Sequence, residues 1–230
     1  MARTATPYSG RVSSRSAKQT LTMIAYSRLK DEILALRLSP KQALVEAELA
    51  AMLEMSKTPV REALLMLHHD GLVELNDFKG ARVRDLARSD AREIYELRAV
   101  LEPLALRLSH PHSTSADYTE LRTVLDRAAA CVTSGDRARL AELNRRFHHG
   151  LGARCRNSRL LTILGQVSDQ VRLISMRGWV FHPTFGDEAV EHSLILEAVS
   201  DRDDVDGAAT LLEAHIRRFA ERHIDVPVSS

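Results

Sequence analysis

Ser56-Lys57-Thr58-Pro59-Val60-Arg61-Glu62-Ala63-Leu64, followed by Asp70-Gly71-Leu72-Val73-Glu74-Leu75 and by Gly80, is the stretch whose reading decides the fold. Ser56 or Thr58 suits a helix cap. Pro59 falls in the first turn, where its missing N–H breaks no intrahelical bond and its fixed φ is already helical. Val60, Leu64 and Leu67 recur at helical spacing and predict a buried face, while Lys57, Thr58 and Arg61 project from the opposite side near the N-terminus. Upstream, Val45, Leu49 and Leu53 predict a second short helix ending at Glu54-Met55. Downstream, 72–75 and 81–84 are short strand-like runs around Asn76-Asp77-Phe78-Lys79-Gly80, whose Asn, Asp and Gly suit a hairpin loop. Two helices a few residues apart, the second carrying the basic groups and leading into a hairpin, predict a winged helix-turn-helix. The groups expected to face DNA are Ser56, Lys57, Thr58 and Arg61 on the helix, with Lys79 and Gly80 on the wing.

Composition agrees with this fold. The 230 residues, 44% hydrophobic and 27% charged, suit two modest globular domains with real cores. The net charge of +1 hides an asymmetry: residues 1–88 carry 14 Lys and Arg against 10 Asp and Glu, and the remainder 18 against 21. The basic half is the one with the expected recognition helix, where local phosphate neutralisation matters more than total charge. Cys131 and Cys155 are too few and too far apart for a disulfide scaffold or a thiolate zinc site. With no stretch of membrane-spanning length, a reduced cytoplasmic protein without membrane contact is the simplest expectation. Residues 1–18, rich in Ser, Thr, Ala and Arg, read as a flexible basic arm. That arm is either a disordered start without a role, or a source of phosphate or minor-groove contacts from Arg3, Arg11, Arg15 and Lys18.

On these residues, with Ala43-Leu44-Val45-Glu46 and Leu49-Ala50 ahead of them, the chain resembles the GntR family of bacterial transcriptional regulators. Ile94-Tyr95-Glu96-Leu97-Arg98-Ala99-Val100-Leu101-Glu102 further resembles the first effector-domain helix of its FadR-type branch, whose effector domain is all-helical and FCD-like. The likeness covers about residues 20–224. Two positions depart from it: Lys57 stands where Arg is usual, and Lys41 where Gly usually follows Pro40. Lys57 keeps the charge but lacks the planar fork that reads guanine bidentately.

Beyond a linker at 85–88 the period turns helical. Stripes run through Ile94, Leu97, Leu101 and Leu104; Leu121, Val124 and Leu125; Leu140, Leu143 and Phe147; and Leu160, Leu161, Leu164 and Val167. A further pair at 188–200 and 205–224 makes about six helices, an all-α bundle, with a kink expected at Pro103. The fold class is therefore mainly α: an arm (1–18), a winged helix-turn-helix (19–84), and a helical effector-binding and dimerisation domain (89–226).

Asn144 and His148, four apart, share a helix face, and His192 and His215 fall on the last two helices, so a bundle can converge three imidazoles and an amide oxygen. From spacing alone these are equally core or surface histidines. The resemblance implies more, because many FadR-type effector domains carry Asp-x-x-x-His followed by two later histidines, matched here by Asn144, His148, His192 and His215. It implies a divalent transition metal, zinc or alternatively nickel, on those four residues, with Asn144 supplying a neutral oxygen in place of the acid. His149 and His182 are reserve ligands. In the resemblance Arg98 reaches into the effector cavity to clamp a carboxylate; the plainer alternative is a helix-surface ion pair with Glu102. Arg172 and Arg177 are further candidates, and Trp179, Phe181 and His182 either roof the cavity or simply pack.

The expectation is a homodimeric regulator, most simply a repressor, whose affinity for a palindromic double-stranded DNA operator changes when a small organic acid binds near the metal. A regulator sensing the metal itself is the nearest alternative. A metal-dependent hydrolase is a distant one, since no catalytic acid or base is placed beside the histidines.

Overall fold

The computed structural model describes residues 12–76, 80–181 and 185–224, with side chains described for 20–76, 80–174, 186–222 and 224. The chain divides into two compact units after Asp85. In the first, α1 (Val12–Leu34) is followed by β1 (Ala43–Leu44), α2 (Glu46–Leu53), α3 (Lys57–His69), β2 (Val73–Asn76) and β3 (Gly80–Val83). The strands form an antiparallel sheet in the order β1-β3-β2, with Ala43 and Glu74 flanking Arg82. α3 buries Val60, Ala63, Leu64 and Leu67, and α1 packs on it through Ala25, Leu29 and Ile33. Each such Val, Leu or Ile contributes about 1.5–3 kcal/mol on burial, which holds the recognition helix to the rest of the unit. Polar ties reinforce the packing: Thr22 donates to Glu62 (2.7 Å) and Tyr26 to Asp70 (2.5 Å).

Several expectations need correction. Val45 is exposed in the extended conformation that precedes α2, so the buried stripe of that helix is Leu49, Ala50 and Leu53. Ser56 occupies the cap of α3 with extended geometry, but its side chain makes no capping hydrogen bond. The wing strands begin one residue from the expected positions. α1 starts at Val12, inside the segment assigned to a flexible arm. Arg3, Arg11, Asp77, Phe78 and Lys79 lie outside the described residues, as do the side chains of Arg15 and Lys18.

Lys41, the position where relatives resembled by this sequence place Gly, has φ of +68°. An L-residue there crowds its Cβ against the following carbonyl, costing about 1–2 kcal/mol that Gly avoids. Its N–H donates to Val83 O (3.0 Å) and its exposed Nζ pairs with Asp85 (3.0 Å), so the conformation is fixed by β3. After allowance for the extra entropy of Gly in the unfolded chain, Lys41→Gly should stabilise the protein by about 0.5–1 kcal/mol in urea unfolding. A destabilised variant would show that the Asp85 pair outweighs the strain.

The second unit contains, among its described residues, α4 (Arg88–Ser109), α5 (Ser115–Ser134), α6 (Arg137–Leu151), α7 (Ser158–Phe181), α8 (Phe185–Ser200) and α9 (Val205–His223). Helix ends are set locally: Thr114 and Asp117 exchange capping bonds at α5, while Asp136 and Asp204 accept from the first-turn N–H groups of Arg139 and Gly207. α4 packs on α9 and α7, α5 on α6 and α8, and α8 on α9. The core includes a stacked Tyr95–Phe219 pair with centroids 5.1 Å apart, together with Leu106, Leu143, Phe147, Leu196, Leu212 and Ile216.

α4 runs as one continuous helix through the buried Pro103. Its core face is Ala91, Ile94, Tyr95, Arg98, Ala99 and Ala105 rather than the Ile94-Leu97-Leu101-Leu104 stripe. Leu97, Val100, Leu104 and Leu108 instead form an outward row, each 40–60% exposed.

Candidate functional site

Five helices of the second unit line a cavity of about 170 Å³, whose wall includes Arg98, Asn144, His148, Arg172, His192 and His215. That is room for several waters or one small organic molecule. α6 supplies His148, α8 His192 and α9 His215. His192 Nε2 lies 3.2 Å from His148 Nε2 and 3.1 Å from His215 Nε2, and one ligand atom from each of the three falls within 4.8 Å of the others. Zinc–nitrogen bonds of about 2.0–2.1 Å at tetrahedral to octahedral angles would place ligand atoms roughly 2.9–3.4 Å apart, so this spacing suits a shared cation.

Carboxylates on the far side of two rings set the tautomers. His148 Nδ1 donates to Glu102 Oε2 (2.7 Å) and His215 Nδ1 to Glu191 Oε2 (2.6 Å), which turns the Nε2 of each ring inward. His192 Nε2 can donate to only one of its two neighbours. Converging lone pairs are unfavourable unless a cation sits between them, and this is the chemistry of a metal-ready donor set.

Protonation states agree with that arrangement. Burial, reinforced by repulsion from His215, His148 and Arg98, holds the His192 imidazole far below its ordinary value. Burial also lowers His215 to about 4, against the opposing pull of Glu191, so both rings are neutral at pH 7. Burial pushes the Glu102 carboxyl up, but Arg98 and His148 outweigh it and hold it at about 2, an obligate acceptor.

Arg98 lines the cavity and also makes the ion pair with Glu102. Its Nε donates to Glu102 Oε1 (2.6 Å), but the pair is buried rather than on the surface, and Nη2 stands 3.4 Å from His148 Nδ1. Its guanidinium also covers the Tyr95 ring at 4.7 Å. Arg172 on α7 lines the same cavity; its buried Nε has no hydrogen-bond partner among the described residues, and Nη1 is 3.8 Å from Glu142. A buried donor without an acceptor is costly, which suits an anionic ligand in the cavity. Asn144 donates from Nδ2 to Glu188 Oε2 (3.3 Å). His149 is exposed and outside the three-histidine set. The side chains of Arg177, Trp179 and Phe181, and all of His182, lie outside the described residues.

Glu102 was foreseen only as a partner for Arg98, and the orienting role of Glu191 was not foreseen. No local pattern signals either orienting role, since Glu102 and Glu191 act on His148 and His215, which lie 46 and 24 residues further along the chain.

In the first unit, Ser56, Lys57, Thr58 and Arg61 are all exposed on the N-terminal part of α3. Arg61 is held by Glu46 of α2 in a two-bond pair, Nε–Oε1 and Nη2–Oε2 both 2.8 Å. In water such an exposed pair is weak, so the guanidinium can exchange Glu46 for phosphate or a base edge. Gly80 opens β3 at φ +71°, a backbone role that an L-residue would fill only with strain. Arg82 and Glu74 pair across the wing.

A winged helix-turn-helix with an exposed basic recognition helix, followed in the same chain by a helical bundle around a charged cavity, defines a DNA-binding transcriptional regulator rather than an enzyme. The comparisons agree with this class: residues 21–83 match the bacterial regulatory proteins of the gntR family, and residues 93–218 match the FCD domain. The chain belongs to the GntR family and carries an FCD domain. It is 30% identical over 189 residues to the Nta operon transcriptional regulator of Aminobacter aminovorans, covering 81% of this chain and 87% of that one. It is 31% identical over 212 residues, covering 89% and 90%, to a protein of Paenarthrobacter nicotinovorans named "Probable D-xylose utilization operon transcriptional repressor". Its fold is similar to that of a GntR transcriptional regulator from Rhodococcus sp. RHA1, with a TM-score of 0.79 at 22% identity, over 91% of this chain and all of the other. Among the described residues no helix is long and apolar enough to cross a membrane.

Proposed function

We propose that this regulator is a cytoplasmic, FadR-type repressor that binds a palindromic operator as a homodimer and changes its DNA affinity when a small carboxylate metabolite occupies the bundle cavity beside a bound metal. The observation that carries the reading is the cavity itself, which brings three inward-facing imidazole nitrogens, Arg98 and the orphaned Arg172 Nε to one space. His148, His192 and His215 would hold zinc or nickel, with Asn144 in reach of the same space; bound there, the metal supplies a positive, Lewis-acidic centre for a carboxylate. Arg98 would orient the acid with its planar fork, and Arg172 would satisfy its orphaned donor on a second acceptor. A ligand preferring one state of the protein shifts operator affinity by its differential binding to the two. The orphaned Arg172 favours an organic acid over the metal alone as the signal; operator affinity that responds to added zinc without any acid would reverse that preference.

Binding of a labelled fragment of the gene's own upstream region, followed by fluorescence anisotropy, tests the regulatory reading. Arg61→Ala should weaken it roughly 10- to 100-fold, the 1–3 kcal/mol of a bidentate base contact, and loss confined to specific sequence would mark base readout. Unchanged binding, or binding indifferent to salt, would sink the proposal.

Dimerisation is supported by the outward row of Leu97, Val100, Leu104 and Leu108 on α4, a continuous apolar face at helical spacing that a second copy could cover by twofold symmetry. Val100→Glu should convert the dimer to a monomer in sedimentation velocity. A variant that sediments like wild type would place the interface elsewhere.

A further inference from the structure

Arg61 and Glu46 face one another across the helix-turn-helix, and the way they are bonded leaves part of the guanidinium unused. Glu46 stands at the first position of α2 and Arg61 in the first half of α3, and both line the groove that separates these helices from Gly80 of the wing. Glu46 accepts from Nε and Nη2, the side edge of the fork, at 2.8 Å each. The guanidinium carries more donors than Glu46 takes up: an N–H on each Nη still points out along the end edge, and two such parallel donors match the O6 and N7 acceptors of guanine. The carboxylate is the more fixed partner, its side chain 31% exposed against 67% for Arg61. It is also kept charged, because the hydrogen bonds from Arg61 hold its carboxyl below the ordinary value and the first turn of α2 presents the positive end of the helix dipole.

We infer that Glu46 is a positioning residue that sets the sequence discrimination of this regulator: it holds the side edge of Arg61 while the end edge reads a guanine, and it stays behind as an unpaired negative charge whenever Arg61 leaves it for a backbone phosphate. The inference rests on the reading of Arg61 as a DNA contact. Two modes of binding then respond to Glu46 in opposite directions. At a matched site the pair persists, so the Arg61 side chain is already ordered and loses little further freedom on binding. On unmatched DNA Arg61 gains a phosphate only by breaking both bonds, and the carboxylate left in the groove repels the same phosphates. The weakness of an exposed pair in the free protein does not weaken this effect, because discrimination depends on the difference between the two modes and not on what the pair adds to folding. Glu48, exposed two residues further along α2 and without an ion pair among the described residues, carries the same charge and serves as the control.

The test is the affinity of the full-length protein for two duplexes, measured by fluorescence anisotropy over a series of salt concentrations. One duplex is the sequence that wild type selects from a random pool, the other a shuffled sequence of the same length and composition, and the quantity read is the ratio of the two affinities. Glu46→Gln should tighten binding to the shuffled duplex, steepen its salt dependence by about one phosphate contact and lower the ratio about tenfold. Glu48→Gln should shift both duplexes alike and keep the ratio. Arg61→Lys keeps the charge but cannot bond Glu46 along one edge and a base along another, so it should lower the ratio as far as Arg61→Ala while holding the shuffled duplex as wild type does. In Arg61→Ala/Glu46→Gln the second change should add nothing to the ratio already lost. A wild-type ratio in Glu46→Gln, or an equal fall in Glu48→Gln, overturns the inference and leaves Arg61 as a plain DNA contact. Wild-type affinity of Arg61→Ala for the selected duplex, or a random pool from which wild type selects nothing, overturns both.

Discussion

His192→Ala is expected to abolish the metal binding proposed for the three-histidine site. Its Nε2 is the middle donor of the trio, 3.2 Å from one partner nitrogen and 3.1 Å from the other, so removing it opens the centre of the site. A structural zinc site is worth about 10–16 kcal/mol shared over four ligands, so one ligand accounts for roughly 3 kcal/mol, or about a hundredfold in affinity. Elemental mass spectrometry of untagged protein should find about one metal per chain in wild type and a large loss in the variant. Phe147 packs on the His192 ring at 4.6 Å, so the substitution also leaves a void, and the melting temperature in EDTA separates that packing loss from the loss of metal. No metal in wild type, even after zinc or nickel reconstitution, would remove the metal from the mechanism and leave Arg98 and Arg172 as the anchors of the effector.

Glu102→Gln is expected to damage two properties through one side chain. Oε1 accepts from Arg98 and Oε2 from His148, and both bonds are buried. Taking away the charge leaves the Arg98 guanidinium without its counter-ion inside the bundle, a loss of about 3–5 kcal/mol in urea unfolding of the metal-free protein. It also frees the His148 ring to change tautomer, which should weaken metal binding about 10- to 100-fold. Arg98→Met, which removes the charge on the other side, should lose stability too but leave His148 with its acceptor, so metal affinity should fall less. Equal effects of the two substitutions on metal affinity would show that the carboxylate does not act by orienting the imidazole.

The recognition helix was legible because several independent signals coincide: a proline in the first turn, an apolar period of Val60, Leu64 and Leu67, and basic groups on the opposite side. β1 was not legible, since two residues carry no period. On α4 the pattern misled for a physical reason. The helix is apolar on two sides: its core side carries Ile94, Tyr95, Leu106, several Ala and a buried Arg, while Leu97, Val100, Leu104 and Leu108 face outward. Hydrophobicity marks a face that prefers contact; it does not say whether the contact lies within the chain or with another one. In the site, the order of the histidines was readable, and that Asn144 broke the pattern was readable too. The carboxylates that orient the rings were not, because Glu102 and Glu191 act across helices, through contacts that exist only once the bundle has formed.

The three ring nitrogens come from helices whose ligands lie 44 and 23 residues apart in sequence. A cation gripping all three therefore closes two long loops at once, and only the folded chain can offer that grip. Stability then rises with free metal as RT ln(1 + [M]/Kd), about 1.4 kcal/mol for each tenfold increase once the site is filled. In a cell short of that metal, more of the protein would be open to proteases at any moment. Metal supply would then set how many regulator molecules survive, apart from how tightly each one holds its operator.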